Sequence, residues 1–185
     1  MKHSYLFLAD GFEEIEALAT VDVLRRAGVR VETVSIKSDN TVTGANGVSV
    51  NADRTIDGIT DDPETEWMIC PGGMPGASNL AASPRVCDLL VSHFRRGGKV
   101  AAICASPAVV LAPLGILDGR TATCYPGMEA LAPDQNFTGR PVEVHPTLIT
   151  GNGPANTLPF AYAIAADAAG AEAAAQVSQG MLFTK

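Results

Sequence analysis

The stretch "AAICASPAVVLAP" (101–113) decides how the rest of the chain is read. An unbroken apolar run ends at Cys104, and a run of small, helix-compatible residues begins directly after it. Continuous apolarity over "KVAAIC" (99–104) suits a strand buried on both faces, the pattern of a parallel sheet covered by helices. Cys104 then sits at a strand-to-helix junction, with Ala105 and Ser106 small enough for a tight turn and a helix starting at Ala105.

The same punctuation recurs along the chain. "SYLFLA" (4–9) is an apolar run of strand length, and Glu13 to Ala27 reads as a helix, with Leu18, Val21 and Leu24 spaced by threes and Gly28 as its stop. Residues 29–36 alternate β-branched side chains as a strand, and 41–53 carry Asn-Gly between two β-rich stretches, a hairpin signal. Trp67 to Cys70 is a short strand closed by "PGGMPG". Residues 83–98 form a helix with Ser83 as cap and Pro84 in its first position. Residues 119–124 read as a further strand. Residues 141–150 read as a second hairpin, because Pro146 is ill suited to one central strand. Helices over 157–169 and 171–181 complete the chain. Strands alternating with helices predict one α/β domain over 1–185, a mostly parallel sheet with helices on both faces plus small β-hairpins.

Bulk properties exclude several function classes. The 185 residues are 46% apolar with a formal net charge of −7. The longest basic clusters are the pairs Arg25-Arg26 and Arg95-Arg96, which argues against nucleic acid as a partner. No apolar run has bilayer-spanning length, and the acidic residues after "SYLFLA" do not suit a signal peptide, so a cytoplasmic protein is expected. Cys70, Cys87, Cys104 and Cys124 are scattered without a C-x-x-C, so a zinc ribbon or thioredoxin-like motif is absent and free thiols are expected.

Ligands of such sheets bind beyond the carboxyl ends of the strands, where Cys104 falls. The amides opening the next helix favour thiolate and predict a lowered pKa. The bland alternative is a buried hydrophobe, the usual state of a free cysteine. "PGG" (71–73) ends a neighbouring strand and offers backbone N–H groups at Gly72 and Gly73 for an oxyanion. Glu13, Glu14 and Glu16 crowd one helix start. The helix dipole accounts for two of them; Glu16 lies between Ile15, Ala17 and Leu18, and if it points inward, desolvation raises its pKa and keeps it protonated. Cys70 and Cys87 read as packing and His93, beside Arg95-Arg96, as solvated.

Taken in order and at their spacing, "LADGFEEIEA", "CPGG", "AAICASPAVVLA" and "GNGPANT" resemble the ThiJ/PfpI superfamily, in the branch of the parkinsonism-associated deglycase DJ-one. The resemblance implies a three-layer flavodoxin-like sandwich and a homodimer. It matches Cys104 to the elbow nucleophile, Glu16 to its protonated partner, and the amides of Gly73 and Ala105 to the oxyanion site. Cys124, Tyr125, Gly153 and Pro154 become pocket candidates. It implies no cofactor, no metal, and small dicarbonyls or glycated molecules as substrates. The implied activity is a glyoxalase or deglycase. The alternative is an oxidation-sensing or holdase-like binding protein with little turnover.

Two departures stand out. Better-known members carry a histidine where Cys124 or Tyr125 stands, and an arginine absent from "GANGV" (44–48). His145-Pro146 resembles an amidotransferase triad whose glutamate is replaced by Thr147, and relatives that hydrate isocyanides place aspartate at the position of Glu16. A Cys104–Cys124 disulfide, formed through a sulfenic acid, competes with Cys124 as a plain wall of the pocket.

Overall fold

The computed structural model describes residues 2–60 and 62–183. β1 (His3–Leu8) leads into α1 (Glu14–Arg26), followed by β2 (Val31–Ser35), the hairpin β3 (Thr41–Thr43) and β4 (Ser49–Asn51), and the short β5 (Arg54–Thr55). β6 (Thr65–Cys70) is followed by α2 (Gly76–Ala81), α3 (Pro84–Arg95) and β7 (Lys99–Ile103). β8 (Thr121–Ala122), β9 (Asn136–Phe137), β10 (Val142–His145), β11 (Leu148–Gly151), α4 (Thr157–Ala169) and α5 (Ala171–Gly180) complete the order.

The main sheet runs β10-β11-β7-β6-β1-β2-β5. Every pairing in it is parallel except the hairpin β10–β11. α1 packs on α4 and α4 on α5, while α2 packs on α3, so two helical layers flank the sheet. The result is a three-layer, flavodoxin-like α/β sandwich. The three central strands are almost fully buried, as their unbroken apolarity demands, and Phe7, Trp67 and Phe160 fill the core. The chain leaves β1 toward β2 on one side and returns to β6 on the other. This reversal of direction opens a crevice at the strands' carboxyl ends. No helix among the described residues is long and apolar enough to cross a membrane.

Four local expectations are corrected. The strand expected at 119–124 shrinks to β8, which pairs in parallel with β9 outside the main sheet. Both edges of β7 are already taken, by β6 and β11, so no slot remains beside it. In place of the regular helix expected from Ala105 there is a π-helical turn over Pro107–Leu111, closed by Ala112 N–H donating to the Pro107 carbonyl at 3.0 Å. Pro107 has no N–H to give, and Pro113 and Gly115 forbid a long continuation. His93 is wholly buried rather than solvated: its Nε2 lies 3.0 Å from the Lys99 carbonyl, and Gly98 packs on the ring. In α1, Ile15 and Leu18 face outward, and the buried face is Ala17, Thr20, Val21, Val23 and Leu24.

Candidate active site

Because β7, β6 and β1 are adjacent and parallel, the residues that follow them meet at one edge. β7 delivers Cys104, β6 delivers Pro71-Gly72-Gly73, and the loop after β1 delivers the start of α1 with Glu16.

Cys104 adopts φ 64°, the left-handed region that a side chain enters only when its surroundings impose it. Two backbone bonds impose it here. Cys104 N–H donates to the Gly151 carbonyl at 2.9 Å, and Tyr125 N–H donates to the Cys104 carbonyl at 2.8 Å. The side chain is thereby turned out of the sheet ladder at a strained elbow while staying 9% exposed.

Glu16 is completely buried. Glu13 caps α1 by accepting from Glu16 N–H at 2.7 Å, and Glu13 N–H donates to the Gly72 carbonyl at 3.0 Å, so the helix start is tied to the β6 loop. Glu16 Oε2 accepts from Gly72 N–H at 2.8 Å, and its buried Oε1 has no hydrogen bond of ordinary geometry. The carboxyl and the Cys104 thiol stand in side-chain contact. Gly72 lies against both: a Cβ there would fall 2.6 Å from Cys104 Cβ and 2.7 Å from Glu16 Oε2. Gly73 has φ 88°, and a Cβ on it would fall 2.4 Å from Glu13 N. Only glycine fits either position.

Burial pushes the Glu16 carboxyl up to about 7, against the pull of the Cys104 thiol and Gly72 N–H, with the Glu13 charge adding to the rise. The prediction of a lowered Cys104 pKa is reversed. Burial, then the neighbouring Glu16 carboxylate, push the thiol up to about 12, and the amides of Gly73 and Ala105 pull it down only in part. The single π-helical turn that follows supplies little dipole to offset this. Near neutral pH the thiol keeps its proton and Glu16 is divided between acid and carboxylate, the carboxylate form being able to receive the thiol proton. Such a pair can release the sulfur as it attacks an electrophile, while two amides face the sulfur's surroundings.

Gly72, read from the sequence as an oxyanion donor, is not free for that task, because its N–H is committed to Glu16. The sulfur-facing amides are those of Gly73 and Ala105. Tyr125 is 45% exposed and its ring lies over Gly153, where a Cβ would come within 3.3 Å of Cδ2. Pro154 opens a 3-10 turn over Pro154–Asn156 just beyond. Cys124 is buried, and burial followed by the Glu129 charge pushes it up to about 11. Cys70 is sealed in the core, and all four cysteines are free. Among the described residues, no group of three His, Cys, Asp or Glu side chains is placed to hold a metal. His145 is spent on Thr121, accepted by its carbonyl at 2.8 Å. An apolar recess of about 420 Å³ between α4 and α5, lined by Tyr162, Ala166, Ala174 and Phe183, shares none of these residues.

Sequence reasoning missed two participants. Ser106, read only as a small neighbour, is fully buried and its Oγ donates to the Pro71 carbonyl at 2.5 Å. Glu14, read as a helix-dipole acid, accepts from Asn46 N–H at 2.7 Å and Asn46 Nδ2 at 2.9 Å, clamping the β3–β4 hairpin onto α1.

The chain is similar to known proteins along nearly all its length. The model of the DJ-1/PfpI family matches residues 2–167. Protein dj-1beta of Drosophila melanogaster is 34% identical, over 98% of this chain and 97% of its own length. The crystal structure of that protein superposes with a TM-score of 0.93 over the whole of both chains. A glutathione-independent glyoxalase of Caenorhabditis elegans, DJR-1.2, is 33% identical, over 82% of this chain and 80% of its own. The structure of oxidized DJ-1 from Toxoplasma gondii, 32% identical, superposes with a TM-score of 0.91 over both whole chains. Against DJ-1 homolog B of Arabidopsis thaliana, at 35% identity, the chain spans only 40% of the relative's length. With a family match over most of the chain, this elbow, and relatives above 30% identity along its length, the protein belongs to the DJ-1/PfpI family.

Proposed function

We propose that the protein is a cysteine-dependent glyoxalase or deglycase working without a cofactor on methylglyoxal, glyoxal or their adducts. The observation that carries this reading is the contact of a wholly buried carboxyl, Glu16, with the elbow thiol of Cys104. The name of the Caenorhabditis elegans relative supports the kind of reaction.

Cys104 Sγ attacks the aldehyde carbon of methylglyoxal while Glu16 takes the thiol proton. The carbonyl oxygen collects charge facing Gly73 and Ala105 N–H, then receives that proton, giving a hemithioacetal. Glu16 next removes the proton from the former aldehyde carbon, and the enediol so formed is reprotonated at the adjacent carbon to give a lactoyl thioester. Water hydrolyses the thioester, releasing lactate and restoring the thiol. The atoms balance as methylglyoxal plus water to lactate. Purified protein supplied with methylglyoxal, without glutathione, should produce lactate, and Cys104→Ser should abolish it. Undiminished lactate formation by the variant overturns the reading.

A second reading is a sensor in which two equivalents of a peroxide oxidise Cys104 to a sulfinate, with release of water, and the sulfinate is held by the protonated Glu16 carboxyl and the same two amides. The absence of a histidine at Tyr125 favours it, as does the oxidised state named for the Toxoplasma relative. Fast Cys104 oxidation with no turnover would select it. Both readings treat 1–185 as one domain and the protein as a homodimer. Ile15, Leu18 and Val48, apolar and exposed around the α1–hairpin junction, are where a second copy would cover the surface, which light scattering tests.

A further inference from the structure

Cys104 and Glu16 come from different elements, and something must hold the β6 loop between them in register. The Pro71–Gly72 peptide unit does this, and it is held from both edges. Its carbonyl accepts from Ser106 Oγ at 2.5 Å, and its N–H donates to Glu16 Oε2 at 2.8 Å. In a trans peptide these two groups point in opposite directions, so the plane cannot rotate without losing both bonds. Ser106 lies two residues beyond the nucleophile and is wholly buried, as is Glu16. A chain of hydrogen bonds thus runs from the elbow, through one amide of the β6 loop, to the carboxyl that contacts the Cys104 thiol.

We propose that Ser106 is a positioning residue for the Glu16–Cys104 pair, acting through the Pro71–Gly72 peptide. Donation to a carbonyl polarises its amide and makes the N–H a stronger donor, so the hydroxyl both fixes the amide and strengthens its bond to the carboxylate. The groups facing Glu16 are the Cys104 thiol from the elbow, Gly72 N–H from the β6 loop and the Glu13 carboxylate from the cap of its own helix. Of these, only the Gly72 amide is under the control of Ser106. Replacing the hydroxyl also leaves the buried Pro71 carbonyl without its partner and lets the amide turn away from Glu16. The assignment deepens the proposed function, because it concerns the same acid–thiol pair.

The test titrates the infrared band of the protonated Glu16 carboxyl in the full chain between pH 5 and 9, with Glu16→Gln identifying the band. Wild type, Ser106→Ala and Ser106→Cys are compared, and thermal melting checks their fold. Weakening a donor to the carboxylate disfavours its ionised form, so Ser106→Ala should raise the midpoint by about 0.5 pH unit. Ser106→Cys, with a weaker donor, should fall between. A folded Ser106→Ala with an unmoved midpoint overturns the proposal. Should Ser106→Ala not fold, an unmoved midpoint in Ser106→Cys does the same. A midpoint moved in the Ser106 variants, together with a wild type that forms no lactate, overturns the glyoxalase reading and leaves Ser106 in its role; an unmoved midpoint with lactate formation by wild type does the reverse.

Discussion

The Glu16 carboxyl and the Cys104 thiol touch at the sheet edge, and each sets the proton affinity of the other. With Glu16 raised to about 7 from 4.5, activity should rise through pH ~7 as the carboxylate that receives the thiol proton forms. Glu16→Gln should lower kcat/KM by about 10²–10⁴ and remove that inflection. A variant keeping the same inflection would assign it to another group.

The same shift predicts stability. A folded-state pKa above the unfolded value means that the native state holds the extra proton. Stability is then full below pH 4.5 and declines as pH rises through 7. Glu16→Gln escapes this decline, so above pH 7 it should be more stable than wild type by at most about 3 kcal/mol. Urea melts at pH 4 and pH 8 measure the difference, which should vanish at the lower pH.

Gly72→Ala tests the packing of the pair. A methyl group at 2.6 Å from Cys104 Cβ and 2.7 Å from Glu16 Oε2 must push one of them aside. The expected result is a loss of about 1–3 kcal/mol in stability. Lactate formation should fall by about a hundredfold from misplacement alone. A variant with wild-type turnover would mean that the pair does not need its present geometry.

Glu14 clamps the hairpin, and its ionisation follows opposite logic. Burial raises its pKa, but the bonds from the Asn46 side chain and from backbone N–H groups, including those of Asn46 and Val48, outweigh it, so the net shift is downward. The stabilisation is therefore present above the unfolded pKa and lost as pH falls through the folded one. Glu14→Gln should cost about 1 kcal/mol at pH 7, because the exposed Asn46 recovers part of its bonding from water. The cost should shrink as pH falls below 4.5 and through the lowered folded-state pKa. Hydrogen exchange at Asn46 and Val48 should quicken in the variant at pH 7.

Mild peroxide should oxidise Cys104 first, because the Glu16 carboxylate in contact with it can take its proton, and should give a sulfinate without a Cys104–Cys124 crosslink. Cys124 is buried and held as thiol by that burial and by Glu129, which disfavours its attack on a sulfenic acid. Mass mapping of the oxidised peptides decides between them; a crosslinked Cys104–Cys124 peptide as the main product contradicts the expectation.

What the sequence determined by itself was the local backbone. The apolar run ending at Cys104, the Ser83-Pro84 helix start, the Asn46-Gly47 turn and Pro146 between the strands of the second hairpin are written in patterns a few residues long. Steric and capping preferences of neighbouring residues enforce them. The buried, parallel character of the strands was legible as well, and with it the carboxyl edge where Cys104 falls, whereas the order of the strands came only from the fold. Tertiary structure alone decided the direction of the Cys104 pKa, the burial of His93, the loss of β8 from the main sheet, and the bonds of Gly72 to Glu16, Ser106 to Pro71 and Glu14 to Asn46. Glu16 turned inward although its apolar neighbours Ile15 and Leu18 face out, so the reason given by its neighbours was not the operative one. These partners lie 32 to 56 positions apart, and desolvation depends on what the whole fold stacks around a group. No short pattern in a chain encodes either.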